Sequence, residues 1–171
     1  ETFFERDLRF WVWGRTWLNA RNAVSELSKQ GLNAHAVSML DNEIRSADII
    51  ITTTPATEAL FAEGLISSGT HVTAIGADSP GKQELPVGLV TSASLRVCDL
   101  ARQSLEHGEF QTANKTDTSL AVVELGHVLS GTHAGRQSDD DITVVDLTGI
   151  AAQDIAITQA IIDAATSADK N

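Results

Sequence analysis

Ile49-Ile50-Ile51-Thr52-Thr53, stopped by Pro55, is a run of five β-branched residues without polar alternation. Such a run suits a strand covered on both faces, the usual condition of a parallel sheet. Parallel strands need crossover connections, and the chain around this run supplies them. Residues 8–13, 33–37, 71–75, 95–98 and 142–147 are further strand candidates, rich in β-branched or aromatic side chains. Residues 18–30 carry apolar side chains at 20, 23, 24 and 27, a helical spacing that Gly31 terminates. Shorter helical segments are predicted at 41–47 with Asp41 as cap, and at 61–67, 86–92, 99–107 and 122–129. A long apolar helix follows Gly149, and residues 1–10 read as a helix end running straight into a strand. Strands alternating with helices give β-α-β units, so the expectation is an α/β fold. It is a single Rossmann-like domain over residues 1–171, a mostly parallel sheet with helices on both faces and a C-terminal helix.

Charge and composition exclude more than they select. With 171 residues and a net charge of −11, the chain lacks the clustered Lys and Arg that nucleic acid or an anionic membrane surface requires. The single cysteine, Cys98, rules out an internal disulfide, and its apolar neighbours make it a buried small hydrophobe. No apolar run approaches the roughly 18 residues of a membrane span, and no signal-peptide pattern is present, so a cytoplasmic setting is expected. His35, His71, His107, His127 and His133 are scattered without ligand spacing, so no metal site is expected.

The unusual chemistry follows strands: Gly14 to Thr16, Thr54 to Thr57, Gly76 to Glu84, and Thr148-Gly149. In open α/β sheets, ligands bind at the carboxyl ends of strands. Arg15 and Thr16, after a strand and at a helix start, suit a phosphate, or equally a solvated Arg beside an N-cap. The hydroxyls of Thr52 to Thr54 suit a ribose or phosphate, or simply a strand before a proline. The stretch Ile75 to Leu85, I-G-A-D-S-P-G-K-Q-E-L, is the most specific. Gly76 and Gly81 allow close backbone approach, and Pro80 fixes the turn. Asp78 can act as a general base once desolvation lifts its pKa, and Lys82 can hold a phosphate or damp that lift. The plainer alternative is a surface turn with a solvent-exposed ion pair.

Read together, A-D-I-I-I-T-T-T-P-A-T-E, H-V-T-A-I-G-A-D-S-P-G-K-Q-E-L, Q-S-L-E-H-G-E-F, E-L-G-H-V-L-S-G and I-T-V-V-D-L-T-G-I-A-A-Q-D resemble the ornithine cyclodeaminase/μ-crystallin family, and V-W-G-R-T fits as well. That resemblance implies an NAD(P)-dependent enzyme passing a hydride between nicotinamide and the α-carbon of an amino or imino acid. It implies that Asp78 is the catalytic proton shuttle. Thr52, the Ile75-Gly76 backbone and Lys82 match cofactor-contacting positions, and Leu147 and Thr148 match the loop beside nicotinamide and substrate. Arg15 and Thr16 match the reader of the adenosine ribose, where Arg favours NADP over NAD. The family's G-x-G-x-x-A turn is not found; the only early glycine is Gly14. The expectation is therefore a truncated homologue without the usual first strand, inactive alone. The alternatives are completion by a separate N-terminal half, homodimerisation with strand exchange, or a binding module on a remodelled cleft.

Overall fold

The computed structural model describes residues 7–168; the helix end expected before Asp7 lies outside them. The chain divides into two compact units, one reaching to Ala47 and the other beginning at Asp48.

The first unit runs β1 (Arg9–Val12), α1 (Trp17–Lys29), β2 (Asn33–Ala36) and α2 (Asp41–Ser46). β1 and β2 pair in parallel, Arg9 opposite Asn33 through Val12 opposite Ala36. Thr16 takes an extended backbone at the N-cap of α1, and its carbonyl accepts the amides of Asn19 and Ala20. Gly31, at φ 81°, turns the chain out of the helix in the left-handed region where side chains are strained.

The second unit contains β3 (Ile49–Thr52), β4 (His71–Ala74), α3 (Val87–Ser92), β5 (Leu95–Cys98), α4 (Ala101–Glu106), α5 (Gln111–Thr116), β6 (Val123–Glu124), α6 (Leu125–Leu129), β7 (Thr143–Asp146) and α7 (Ala151–Ala168). Its five strands lie in the order β3-β4-β7-β5-β6, with every pair parallel. Val72, Ala74, Val97, Cys98 and Val144 bury the central strands, and Leu85, Leu89, Val90 and Phe110 complete the core. Each fully buried Val, Leu or Phe contributes about 1.5–3 kcal/mol of transfer free energy.

Three expectations are corrected. The isoleucine run is not covered on both faces: β3 ends its sheet, and Ile49 and Ile51 are 45% and 63% exposed. Residues 61–67 form turns rather than a helix, with Gly64 at φ 82° inside the segment. Residues 122–129 split into a strand and a helix, because Val123 and Glu124 find ladder partners in Val97 and Cys98 that outweigh local helical spacing. Helix α5 was not expected, and α4 is shorter than 99–107. Ile155, Ile157, Ile161 and Ile162 of α7 are exposed. Among the described residues no helix is long and apolar enough to cross a membrane.

Candidate functional site

The rim of the second unit gathers seven of the nine expected site residues. Thr52 ends β3, Ile75 and Gly76 leave β4, Asp78 and Lys82 occupy the following turn, and Leu147 and Thr148 leave β7. Register fixes this: Thr52 pairs with Ala74, and Ala74 with Asp146, so three strands end level. Arg15 and Thr16 lie on the first unit, both exposed, at the start of α1.

The turn itself is anchored from beneath. Lys82 Nζ donates to Asp78 Oδ1 at 2.5 Å and Ser79 Oγ donates to the same oxygen at 2.9 Å. Gly81 donates its amide to Gln111 Oε1 at 2.8 Å, while Gln111 Nε2 donates to the carbonyls of Ser79 and Lys82, both at 3.2 Å. Gln111 is buried, so a helix the sequence did not reveal sets the turn from below. Asp78 is exposed, and the hydrogen bonds from Lys82 and then Ser79 hold its carboxyl below the usual aspartate value. The expected upward shift by desolvation is reversed, because solvent reaches the carboxylate and a cation sits against it.

Thr52 and Gly76 are committed inward. Glu84, fully buried, accepts Thr52 Oγ1 at 2.8 Å, the Thr54 amide at 2.5 Å, Thr54 Oγ1 at 2.8 Å and the Gly76 amide at 2.9 Å. The hydroxyl of Thr52 therefore holds the fold rather than facing a ligand. Thr148 is similarly engaged: its hydroxyl donates to Asp99 Oδ1 at 2.9 Å, and Gly149 donates its amide to Asp99 Oδ2 at 2.7 Å. Gln103 Nε2 donates to Thr148 Oγ1 at 3.0 Å and to the Gly149 carbonyl at 2.9 Å.

Sequence reasoning missed Glu84, Glu109 and Asp146 as a set. Glu109 accepts the amides of Glu84 at 2.9 Å and Leu85 at 2.7 Å, and Asp146 accepts the Glu109 amide at 2.9 Å and the Ser104 hydroxyl. Burial, first among the causes, pushes Glu109 up to about 8 and Asp146 up to about 7. A signal was present at Asp146: a carboxylate inside Ile142 to Leu147 needs a buried partner. Cys98 is buried as expected, and burial pushes its thiol up to about 12, so it is no nucleophile. Among the described residues no group of His, Cys, Asp and Glu is placed to hold a metal ion.

A dinucleotide fits this rim in part. Ile75, 44% exposed at the end of β4, offers an apolar platform, and Lys82, paired with Asp78 in the following turn, supplies a cation. The amides and hydroxyls under Ile75 are already bonded to Glu84, so they shape the rim and leave contact to its surface.

Level ends of parallel strands bearing a Gly-Ala-Asp turn define a Rossmann-type α/β domain. The model of the ornithine cyclodeaminase/mu-crystallin family matches residues 7–169, and the chain belongs to that family. It is 36% identical over 151 residues to the alanine dehydrogenase of Archaeoglobus fulgidus, covering 86% of this chain and 46% of that protein. An archaeal alanine dehydrogenase dimer with bound NAD superimposes with a TM-score of 0.85 at 31% identity, over 93% of this chain and 50% of that one. The iminosuccinate reductase of Paracoccus denitrificans in complex with NAD+ gives 0.85 at 32%, over 94% and 50%. The chain spans about half the length of the relatives it matches.

Proposed function

We propose that this chain supplies the dinucleotide-domain scaffold of an NAD(P)-dependent amino- or imino-acid oxidoreductase or cyclodeaminase, and that these 171 residues alone do not turn over substrate. The observation that carries this reading is the level rim: Ile75, Gly76, Asp78, Lys82, Leu147 and Thr148 leave adjacent parallel strands at one edge. On this reading Ile75 and Gly76 pack against the nicotinamide half, and Lys82 meets a phosphate. Arg15, exposed at the start of a 13-residue helix, favours NADP over NAD. Asp78 shuttles a proton at the substrate nitrogen or water. Its lowered pKa keeps it an acceptor at neutral pH, and closure over it by further protein would desolvate it and raise that value. When bound, the dinucleotide supplies or accepts the hydride.

A separate N-terminal half completing the enzyme is the second reading, favoured by the exposure of Asp78 beside a half-buried Lys82 on a preserved rim. Among the described residues β1 pairs only with β2 and β3 only with β4, leaving ladder edges on which that half, or a strand exchanged within a homodimer, would build. The low Lys and Arg content and buried Cys98 support a cytoplasmic setting without nucleic-acid or membrane partners.

The test is amino-acid-dependent reduction of NAD or NADP by the purified 171-residue polypeptide. No turnover is expected; clear turnover would contradict the scaffold reading. Activity restored by co-expression with the N-terminal half of a family enzyme would establish the second reading in its place.

A further inference from the structure

The residues under the rim form a chain of their own, built from side chains that each grip the backbone of the next. Glu84 bonds Thr52, Thr54 and Gly76; Glu109 bonds the amides of Glu84 and Leu85; Asp146 bonds the amide of Glu109. All three carboxyls are buried. The chain therefore runs from the ends of β3 and β4 to the end of β7 without reaching solvent.

The bond from the Gly76 amide to Glu84 has a specific consequence. It joins the first and last residues of the Gly76–Glu84 loop, the segment that carries Asp78 and Lys82. The far side of the loop is stitched down as well, since the Gln83 amide donates to the Ala56 carbonyl at 2.9 Å and the Leu60 amide to the Glu84 carbonyl at 2.8 Å. Four donors converge on the two oxygens of Glu84, a load suited to a group that only accepts. The fit leaves no slack. A Cβ on Gly76 would stand against the Thr54 carbonyl, 2.6 Å from the Thr54 nitrogen and 2.7 Å from Glu84 Cδ.

We propose that Glu84 is a positioning residue: its carboxylate closes the loop that presents Asp78 and Lys82, and locks that loop to the end of β3. Glu109 and Asp146 carry the lock to β7. The importance of this device for catalysis rests on the dinucleotide reading above, but its existence does not. A Gln at 84 would oppose an N–H to a backbone amide, since the Thr54 amide faces one oxygen and the Gly76 amide the other.

Amide hydrogen exchange by NMR on the ligand-free chain tests it, with Glu84→Gln and Leu89→Ala beside the wild type. Glu84→Gln is expected to speed exchange at Gly76 and Thr54 at least tenfold more than at Val97 and Val144. Leu89→Ala, a core truncation that touches none of these bonds, is expected to leave those ratios within about threefold of wild type. An even acceleration across the sheet in Glu84→Gln would overturn the proposal. Should that variant fail to fold, Thr54→Val removes one donor, and a selective rise at Gly76 of threefold or more supports the lock while none overturns it. Titration of the Asp78 carboxyl provides a readout that lost stability alone would not move. Its charged neighbour is Lys82, with Ser79 as the other donor, and its midpoint should rise toward the ordinary aspartate value in Glu84→Gln. An unchanged midpoint in the folded variant counts against the lock. A separate NADH titration of wild type judges the dinucleotide reading alone, because exchange and titration are read without any ligand.

Discussion

Gly76 lies outside the left-handed backbone region, yet the structure has no room there for a methyl group. What excludes it is the Thr54 backbone and the Glu84 carboxylate, neither of which is the free end of a flexible side chain. Gly76→Ala should therefore cost about 2–3 kcal/mol, an overpacking penalty read as a lower urea midpoint with unchanged slope. Asp78, two residues on, behaves oppositely. Its carboxylate is solvent-exposed and bonded only within its own turn, so Asp78→Asn should leave the melting temperature nearly unchanged. In a completed enzyme the same change should remove most of kcat, since the proton acceptor is gone. A large drop in melting temperature for Asp78→Asn would contradict its placement on the open rim.

At the level of strands and helices, the period of the hydrophobic pattern told where elements lie but not what covers them. The strand at Ile49 was legible from its β-branched run, and the run at Thr143 from the same signal. Their surroundings were not, because coverage depends on strand order. β7, inserted between β4 and β5, is buried, whereas β3 closes the sheet and leaves Ile49 and Ile51 exposed. Ile51→Thr is accordingly expected to change stability by less than about 0.5 kcal/mol, and Val144→Ala to lower it by about 2 kcal/mol, both by urea titration. Equal costs would mean that β3 is covered. The site divides in the same manner. Asp78, Lys82 and Gly76 were legible as a glycine- and proline-broken turn after a strand. The supports were hidden, because Gln111 belongs to a helix of six residues too short to show a period, and Glu109 lies between Gly108 and Phe110 with no local sign of its partners. Glu124 was read as helix; its pairing with Cys98 is a long-range fact that no window of sequence contains.

Across the whole chain, the buried carboxyls give stability a pH dependence of definite sign. Burial raises Glu109 to about 8 and Asp146 to about 7, and neighbouring acids push the same way against the amides and the Ser104 hydroxyl. Both carboxyls hold protons in the folded chain at pH values where the unfolded chain has released them, so stability is lost as pH rises toward 8. His71, held down by burial and by Arg136, acts below its ordinary value and leaves the range above pH 7 clear. Between pH 7 and 8.5 the wild type should lose about 1 kcal/mol, and Glu109→Gln should flatten most of that slope. A wild-type slope of the opposite sign would place those protons elsewhere. At the rim three strands end level, and the proposed function seats a dinucleotide there. A two-dimensional NMR titration of the 171-residue chain with NADH and NADPH reads that rim directly. Shifts should concentrate at Ile75, Gly76, Lys82, Leu147 and Thr148, with Arg15 responding more to NADPH. Shifts confined to the amino ends of the strands, or none up to millimolar dinucleotide, would contradict a nicotinamide rim.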